Sequence, residues 1–316
     1  MKSRDIALLL ALAAVWGASF MFIKVILREM TPLTLVGCRV GLGALGLLAY
    51  YAVQRGWTRG QAVAAAPIPW RRLLGPALLL GIGNVALPYL AITWGETYIS
   101  SGDAAILNAT TPLFTTVLVV LLGQRASQEQ PSLAKGIGVA VGFAGVLVLV
   151  AGSGEQAGVG TANSWLGHGA VLVASLSYAA ASLYARRAFA GLSAIIAALF
   201  QTCGAAVLLL PLTFITPPGP LSPTGWAALL ALGLGGTAIA YLIYFQLLAN
   251  VGATRTVIVT YLLPVTALLY GALLLGEPIR PLALGGLALV LLGIAVAGGL
   301  FTRRPAPVVP KVERET

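Results

Sequence analysis

Ten apolar stretches, each about 20 residues long, dominate this chain. They run over 5–27, 33–53, 73–93, 100–122, 133–151, 166–187, 193–213, 226–247, 253–275 and 282–301. About 20 apolar residues is the length an α-helix needs to cross the hydrocarbon core of a bilayer. The chain is 59% hydrophobic and 9% charged, whereas a soluble domain carries roughly 25% charged residues. Lipid must therefore be the solvent for most of its surface. Met1-Lys2-Ser3-Arg4 and the run behind it resemble a signal peptide. The run continues to Phe22 without a convincing cleavage site, so it reads as an uncleaved first helix.

The stretches repeat. Residues 84–112 lie on 236–264 without a gap, pairing Ala86, Tyr89, Leu90, Ile106 and Pro112 with Ala238, Tyr241, Leu242, Ile258 and Pro264. Residues 30–49 lie on 192–211, which pairs Arg39 with Gln201, and the same shift pairs Trp16 with Tyr178 and Lys24 with Arg186. Gly138, Ala140, Gly145 and Val148 meet Gly286, Ala288, Gly293 and Val296. Each copy holds five stretches, and an odd number turns the second copy upside down in the bilayer. The predicted fold is an all-α integral membrane protein, with ten transmembrane helices arranged as two inverted five-helix repeats. The first repeat is expected at 1–151, a linker at 152–165, the second repeat at 166–301 and a disordered cytoplasmic tail at 302–316. Inverted repeats of this kind build secondary transporters whose substrate site lies near the midplane, between the halves.

Lysine and arginine placement sets the expected orientation. With the N-terminus in the cytoplasm, the inside receives Lys2, Arg4, Arg55, Arg59, Arg71, Arg72, Arg125, Lys135, Arg186, Arg187, Arg255, Arg303, Arg304, Lys311 and Arg314. The outside receives Arg28 and Arg280, so both termini are expected in the cytoplasm. Adding or removing one helix would destroy this asymmetry. Trp57, Trp70, Trp94, Trp165 and Trp226 fall at stretch ends, as an interfacial aromatic belt would. The formal charge of +10 is scattered through loops, which argues against a nucleic-acid partner. Cys38 and Cys203 lie inside apolar stretches and read as free thiols. With His168 the single histidine, His-rich metal sites are excluded and most histidine-based catalysis is not expected. No motif for a cofactor or for ATP is present, and an enzyme is not expected.

Several residues together resemble the EamA-type branch of the drug/metabolite transporter superfamily. They are Trp16-Gly17-Ala18-Ser19-Phe20, Pro32 with Arg39, Pro264 followed by Leu275-Gly276-Glu277-Pro278, and Gly286 with Gly293. The resemblance covers 5–301. Leu122-Gly123-Gln124 departs from it where the family shows a Gly-Glu pair. What the resemblance implies is a ten-helix basket in the cytoplasmic (inner) membrane that moves small solutes by alternating access. For Arg39 it implies a structural or gating role.

The residues themselves offer candidates for the work. Pro112 and Pro264 sit near the centres of the fourth and ninth stretches, where each frees the carbonyl four residues earlier. Those carbonyls belong to Asn108 and Thr260, which are polar themselves and could coordinate a solute or serve as packing partners. Removing either side chain is expected to abolish transport. Trp16 and Tyr178 fall mid-stretch, where an aromatic needs a cavity or a polar partner, and Tyr89 and Tyr241 add phenols at matched positions. An aromatic cavity suits amino acids or organic cations. Arg39 lies about two turns inside the second stretch. It could hold a substrate carboxylate in a bidentate fork, brace backbone carbonyls or pair with Asp103. Lys24 is expected to snorkel to the surface, and His168 to play a polar interfacial role. The expected substrate-binding set is Trp16, Tyr89, Asn108, Tyr178, Tyr241 and Thr260, with Pro112, Pro264 and Arg39 as helix-breaking or gating positions.

The leading expectation is export of small metabolites such as amino acids, by a monomer or homodimer with membrane lipid around it. The alternatives are flipping of a lipid-linked intermediate and efflux of organic cations or multiple drugs. No stretch carries a central Asp or Glu, because Asp5, Glu96, Asp103 and Glu277 lie near stretch ends.

Overall fold

The computed structural model describes residues 1–59, 70–122, 132–152, 163–217 and 219–299. Among these, every regular element is a helix. In chain order they are α1 (Ser3–Ile26), α2 (Pro32–Arg59), α3 (Trp70–Gly95), α4 (Ser101–Leu121), α5 (Leu133–Ala151), α6 (Ser164–Ala188), α7 (Ala194–Thr213), α8 (Pro223–Val251), α9 (Ile258–Leu275) and α10 (Pro281–Ala297). Nine of them, α1 to α9, are long and apolar enough to cross a bilayer, while α10 has 17 residues. The expected ninth stretch is divided by a turn at Val257, so that one helical turn, Ala253–Thr256, stands before α9. Most of the expected linker, the expected tail and the end of the tenth stretch lie outside the described residues.

Serines begin several helices. Ser100, Ser132, Ser193 and Ser222 each accept a backbone N–H three residues on with their side-chain oxygen. A helix starts with unbonded N–H groups, and an N-cap serine satisfies one of them.

Two helices widen at matched places. A π-helical segment at Ile82–Ala86 interrupts α3, and another at Ala231–Ile239 interrupts α8. The repeat alignment lays 82–86 on 234–238, inside the second segment. Glycines gather at both, with Gly81 just before the first and Gly83 within it, and Gly233, Gly235 and Gly236 in the second. A π segment shifts the hydrogen-bond ladder and redirects the side chains beyond it, and such segments concentrate at functional sites.

Helix contacts also come in mates. The principal pairs are α5 with α10, α1 with α9, α4 with α6, α2 with α7, α3 with α7, α2 with α8, α3 with α6 and α1 with α8. Exchanging each helix for its repeat counterpart turns α1–α9 into α6–α4, α3–α7 into α8–α2 and α3–α6 into α8–α1. The α2–α7 and α5–α10 pairs map onto themselves.

The α5–α10 seam is built from glycine. A Cβ added at Gly293 would collide with the Gly142 backbone, and one at Gly138 with the backbone of Gly293 and Ala297. With no water-driven attraction between helices in lipid, such backbone approach is what holds them. The small-residue spacing Gly138–Gly142 thus serves contact within this chain. Large apolar side chains face outward along the helices, among them Leu10, Leu45, Leu79, Leu121, Leu147 and Leu273. Trp70, Trp94, Trp165 and Trp226 are exposed near helix ends, as expected of the belt. Trp57 lies outside the described side chains.

Candidate functional site

The two ends of the bundle are best named by the chain: α1 begins at the proximal end and finishes at the distal end. Interhelical bonds lace the distal end together. Lys24 at the end of α1 donates to the Glu96 backbone oxygen at the end of α3 (2.5 Å). Glu277, after α9, accepts from Ser101 N (3.1 Å) and Ser101 Oγ (2.7 Å) at the start of α4. Arg280 forms an ion pair with Asp103 and donates to Gly152 O (2.8 Å) at the end of α5. Glu29 accepts from Ser222 N (2.8 Å) and Oγ (2.7 Å) at the start of α8. The bonds from Ser222 hold the Glu29 carboxyl below the usual carboxylate range. The Leu275-Gly276-Glu277-Pro278 sequence now has a physical reading. Gly276 takes the left-handed conformation, φ +70°, which ends α9 and returns Glu277 to cap α4.

Two sequence expectations are corrected here. Lys24 does not snorkel freely, because Glu96 O holds its ammonium. Asp103 is not the partner of Arg39, because Arg280 takes it. His168 is buried at the start of α6, with Nδ1 2.6 Å from Ser164 O and the Asp103–Arg280 pair nearby.

In the interior, α2 and α7 carry the repeat mates Arg39 and Gln201, and each reaches across to a π segment. Arg39 Nε donates to Thr237 Oγ1 (3.3 Å) in α8. Gln201 Oε1 accepts from Asn84 Nδ2 (2.8 Å) in α3. A third bond, Ser177 Oγ to Gly83 O (2.6 Å), ties α6 to the α3 segment. The Arg39 guanidinium lies 3.9 Å from the centroid of the Tyr89 ring. The phenols of Tyr89, Tyr178 and Tyr241 interact with one another, and Arg39 acts on those of Tyr178 and Tyr241. Four expected residues, Arg39, Tyr89, Tyr178 and Tyr241, therefore meet in one cluster. Arg39 is 6% exposed, and among the described residues no carboxylate forms an ion pair with it.

From this cluster an aromatic run follows α8. Tyr241 stacks on Phe245 (5.9 Å, 9°), Phe245 meets Tyr244 edge-on (5.4 Å), and Tyr244 meets Trp16 of α1 (5.6 Å). Tyr244 is also within reach of Arg186, near the proximal end of α6. Trp16 thus joins the site through Tyr244.

The proline positions behave differently from each other. Pro112 follows a turn at Ala109–Thr110 that divides α4, whereas α9 runs unbroken through Pro264. The Asn108 carbonyl is not left open, because Thr111 Oγ1 donates to it (2.8 Å). Asn108 Oδ1, in contrast, is enclosed and without a partner. The Thr260 hydroxyl is turned back onto Val257 O (2.7 Å).

A lateral groove between α3 and α6 is lined by Leu79, Leu80, Gly83, Ser177, Ala180, Ala181 and Tyr184. None of these side chains is cationic.

Asn84, Gln201 and Thr237 were missed as site residues. The available signal was the pairing of Arg39 with Gln201 and the glycine clusters of the two π segments.

The sequence model of the EamA-like transporter family matches residues 4–151 and again 165–299. The uncharacterized inner membrane transporter YedA of Escherichia coli K12 is 29% identical, over 97% of this chain and 96% of its own. A probable amino-acid metabolite efflux pump of the same organism is 26% identical, over 94% and 95%. A protein of known crystal structure superposes with a TM-score of 0.61 at 19% identity, covering 95% of this chain and 98% of its own, which speaks to the fold alone.

Proposed function

Because the chain belongs to the EamA-like transporter family, we propose that it exports small carboxylate-bearing metabolites, such as amino acids, across the cytoplasmic membrane by alternating access. It is a multi-pass membrane transporter and not an enzyme; the substrate class and the direction are the proposal. One observation carries it. A guanidinium is buried among apolar helices, stacked on Tyr89 and bonded to Thr237, and among the described residues no carboxylate is paired to it. A cation at that depth is costly unless it is paired or wet. The free edge of an arginine fork matches a carboxylate in two parallel bonds. Tyr89, Tyr178 and Tyr241 would surround the rest of the solute, and Trp16 and Tyr244 would line its path from the proximal end. Asn108 would offer its unpaired Oδ1. The relative named as a probable amino-acid metabolite efflux pump supports this class and direction.

The architecture proposed with it has ten crossings, with α10 as the tenth at a length that still spans. Residues 1–151 and 166–301 form two inverted halves joined by 152–165. Mated helix contacts, coincident π segments and the Arg39–Gln201 relation support the inversion. With basic residues inside, both termini are cytoplasmic and the distal end faces out. This conformation is then closed to the outside.

Two other readings fare worse. An organic cation would meet Arg39 rather than a carboxylate. A lipid-linked phosphate would need a cation in the lateral groove, and the residues lining it supply none.

The test is counterflow in liposomes with labelled amino acids. We expect saturable exchange of phenylalanine or alanine that the free acids compete and the corresponding amides do not. Equal competition by amides, or exchange of an organic cation in place of the acids, would defeat the carboxylate assignment.

A further inference from the structure

Glu96 follows directly on α3, and its side chain is 0% exposed. Among the described residues, both of its carboxylate oxygens lack a hydrogen-bond partner. Among the described residues, the other carboxylates at this end are all provided for: Asp103 by Arg280, Glu277 by Ser101 and Glu29 by Ser222. Lys24 acts on the Glu96 carboxyl through its charge, yet its ammonium donates to the backbone oxygen of the same residue. A carboxylate shut away from water with no donor is strongly disfavoured as an anion. A proton removes that cost without any rearrangement.

Three charged groups act on this carboxyl: Lys24 from α1, Glu277 from the α9–α10 connection and Arg39 from α2. Helix α6 packs on Gly95 through Gly167, Ala170 and Val171. Its nearby titratable group, His168, is turned toward Ser164 O and the Asp103–Arg280 pair. Enclosure drives the Glu96 carboxyl well above the usual carboxylate range. Lys24 and Arg39 oppose this and Glu277 adds to it.

We propose that Glu96 is a proton-binding site of the distal gate, occupied while the distal end is closed and emptied when that end opens. The inference rests on the alternating-access reading above. On opening, the carboxyl oxygen loses its proton to water on the distal side and takes Lys24 as its partner. On closing, Lys24 returns to the Glu96 carbonyl and the carboxyl regains a proton. The residue adds a site for a proton to a chain whose spans contain no central acid. It also makes external acidity a brake on opening.

Two measurements separate this proposal from the transport assignment. Infrared difference spectra of the purified protein across a pH step read the carbonyl stretch of a protonated carboxylic acid directly, whatever the substrate. We expect that band in the wild type, its loss in Glu96→Gln, and a shifted band in Glu96→Asp. No band in the wild type, or a band unchanged in Glu96→Gln, would overturn the proposal even if transport is robust. The second measurement is alanine counterflow at equal pH on both sides. On the acid side, wild-type exchange should rise with pH by up to about tenfold per unit, the limit for one titrating group. Glu96→Gln, uncharged at every pH, should exchange more slowly and lose that dependence. A pH profile that survives in Glu96→Gln would also overturn it. Absence of any counterflow in the wild type would count against the proposed substrate class and leave the infrared result to decide on Glu96.

Discussion

At the scale of residues, the same side-chain type takes different roles according to what surrounds it. Arg39 was legible as a candidate because a cation two turns inside an apolar stretch is anomalous in any membrane protein. Its partners were not legible, since Thr237 lies 198 positions away. Arg39→Lys keeps the charge but loses the fork and the guanidinium contact over the Tyr89 ring. It should lower counterflow at least about tenfold, or roughly 1.4 kcal/mol, while size-exclusion profiles stay unchanged. Full activity in the lysine variant would remove Arg39 from the site. Asn108 and Thr260 look equivalent in the sequence but not in space. Asn108→Ala should cut transport, because Oδ1 is enclosed and unspent. Thr260→Ala should leave it nearly intact, because that hydroxyl is bonded to Val257 O in the turn just before its own helix. Equal losses in the two, read by the same counterflow assay, would contradict this separation. Glu277→Ala strips the buried Ser101 N–H and hydroxyl of their acceptor. Leaving buried polar groups unsatisfied costs about 1–3 kcal/mol, so Tm in detergent should fall clearly, with Glu277→Gln intermediate. Glu96 escaped the sequence reading because an acid at a helix end ordinarily sits in water.

At the scale of elements, the apolar stretches forecast the helices well, and the interruptions poorly. Seven of the ten stretches became one long helix each, with ends moved by a few residues; the others were the fourth, divided by a turn at Ala109–Thr110, the ninth, divided at Val257, and the tenth, shorter among the described residues. The π segments in α3 and α8 left no hydropathy signal, since widening a helix does not change its apolar content. Their only trace was local glycine. The proline positions likewise diverged: matched in sequence, they give a broken α4 and an unbroken α9. The α5–α10 seam carries a direct prediction. Gly293→Leu would force a side chain into the Gly142 backbone and should reduce folded yield and Tm sharply. Gly136→Leu, on the same helix as Gly142 but with open space beside it, should be tolerated. Similar loss in both would mean that the seam is not packed through glycine.

At the scale of the whole molecule, the question is parity. Ten crossings return the chain to the side where it began, and nine do not. A fluorescent protein that matures only in the cytoplasm, fused in turn to each terminus, should light up from both. A dark C-terminal fusion beside a bright N-terminal one would make α10 a non-spanning helix and break the inverted relation of the halves.

The sequence by itself determined the class of structure: helices in lipid, repeated once, in a known transporter family. It could do so because transfer of side chains into a bilayer is nearly additive along the chain, so each stretch announces itself without its neighbours. Only the tertiary structure decided which polar groups meet. It drew Arg39 onto Tyr89 and Thr237, gave Asp103 to Arg280 and left the Glu96 carboxyl alone. Those outcomes depend on hydrogen-bond partners and enclosure supplied by other helices, which no local property of the chain contains.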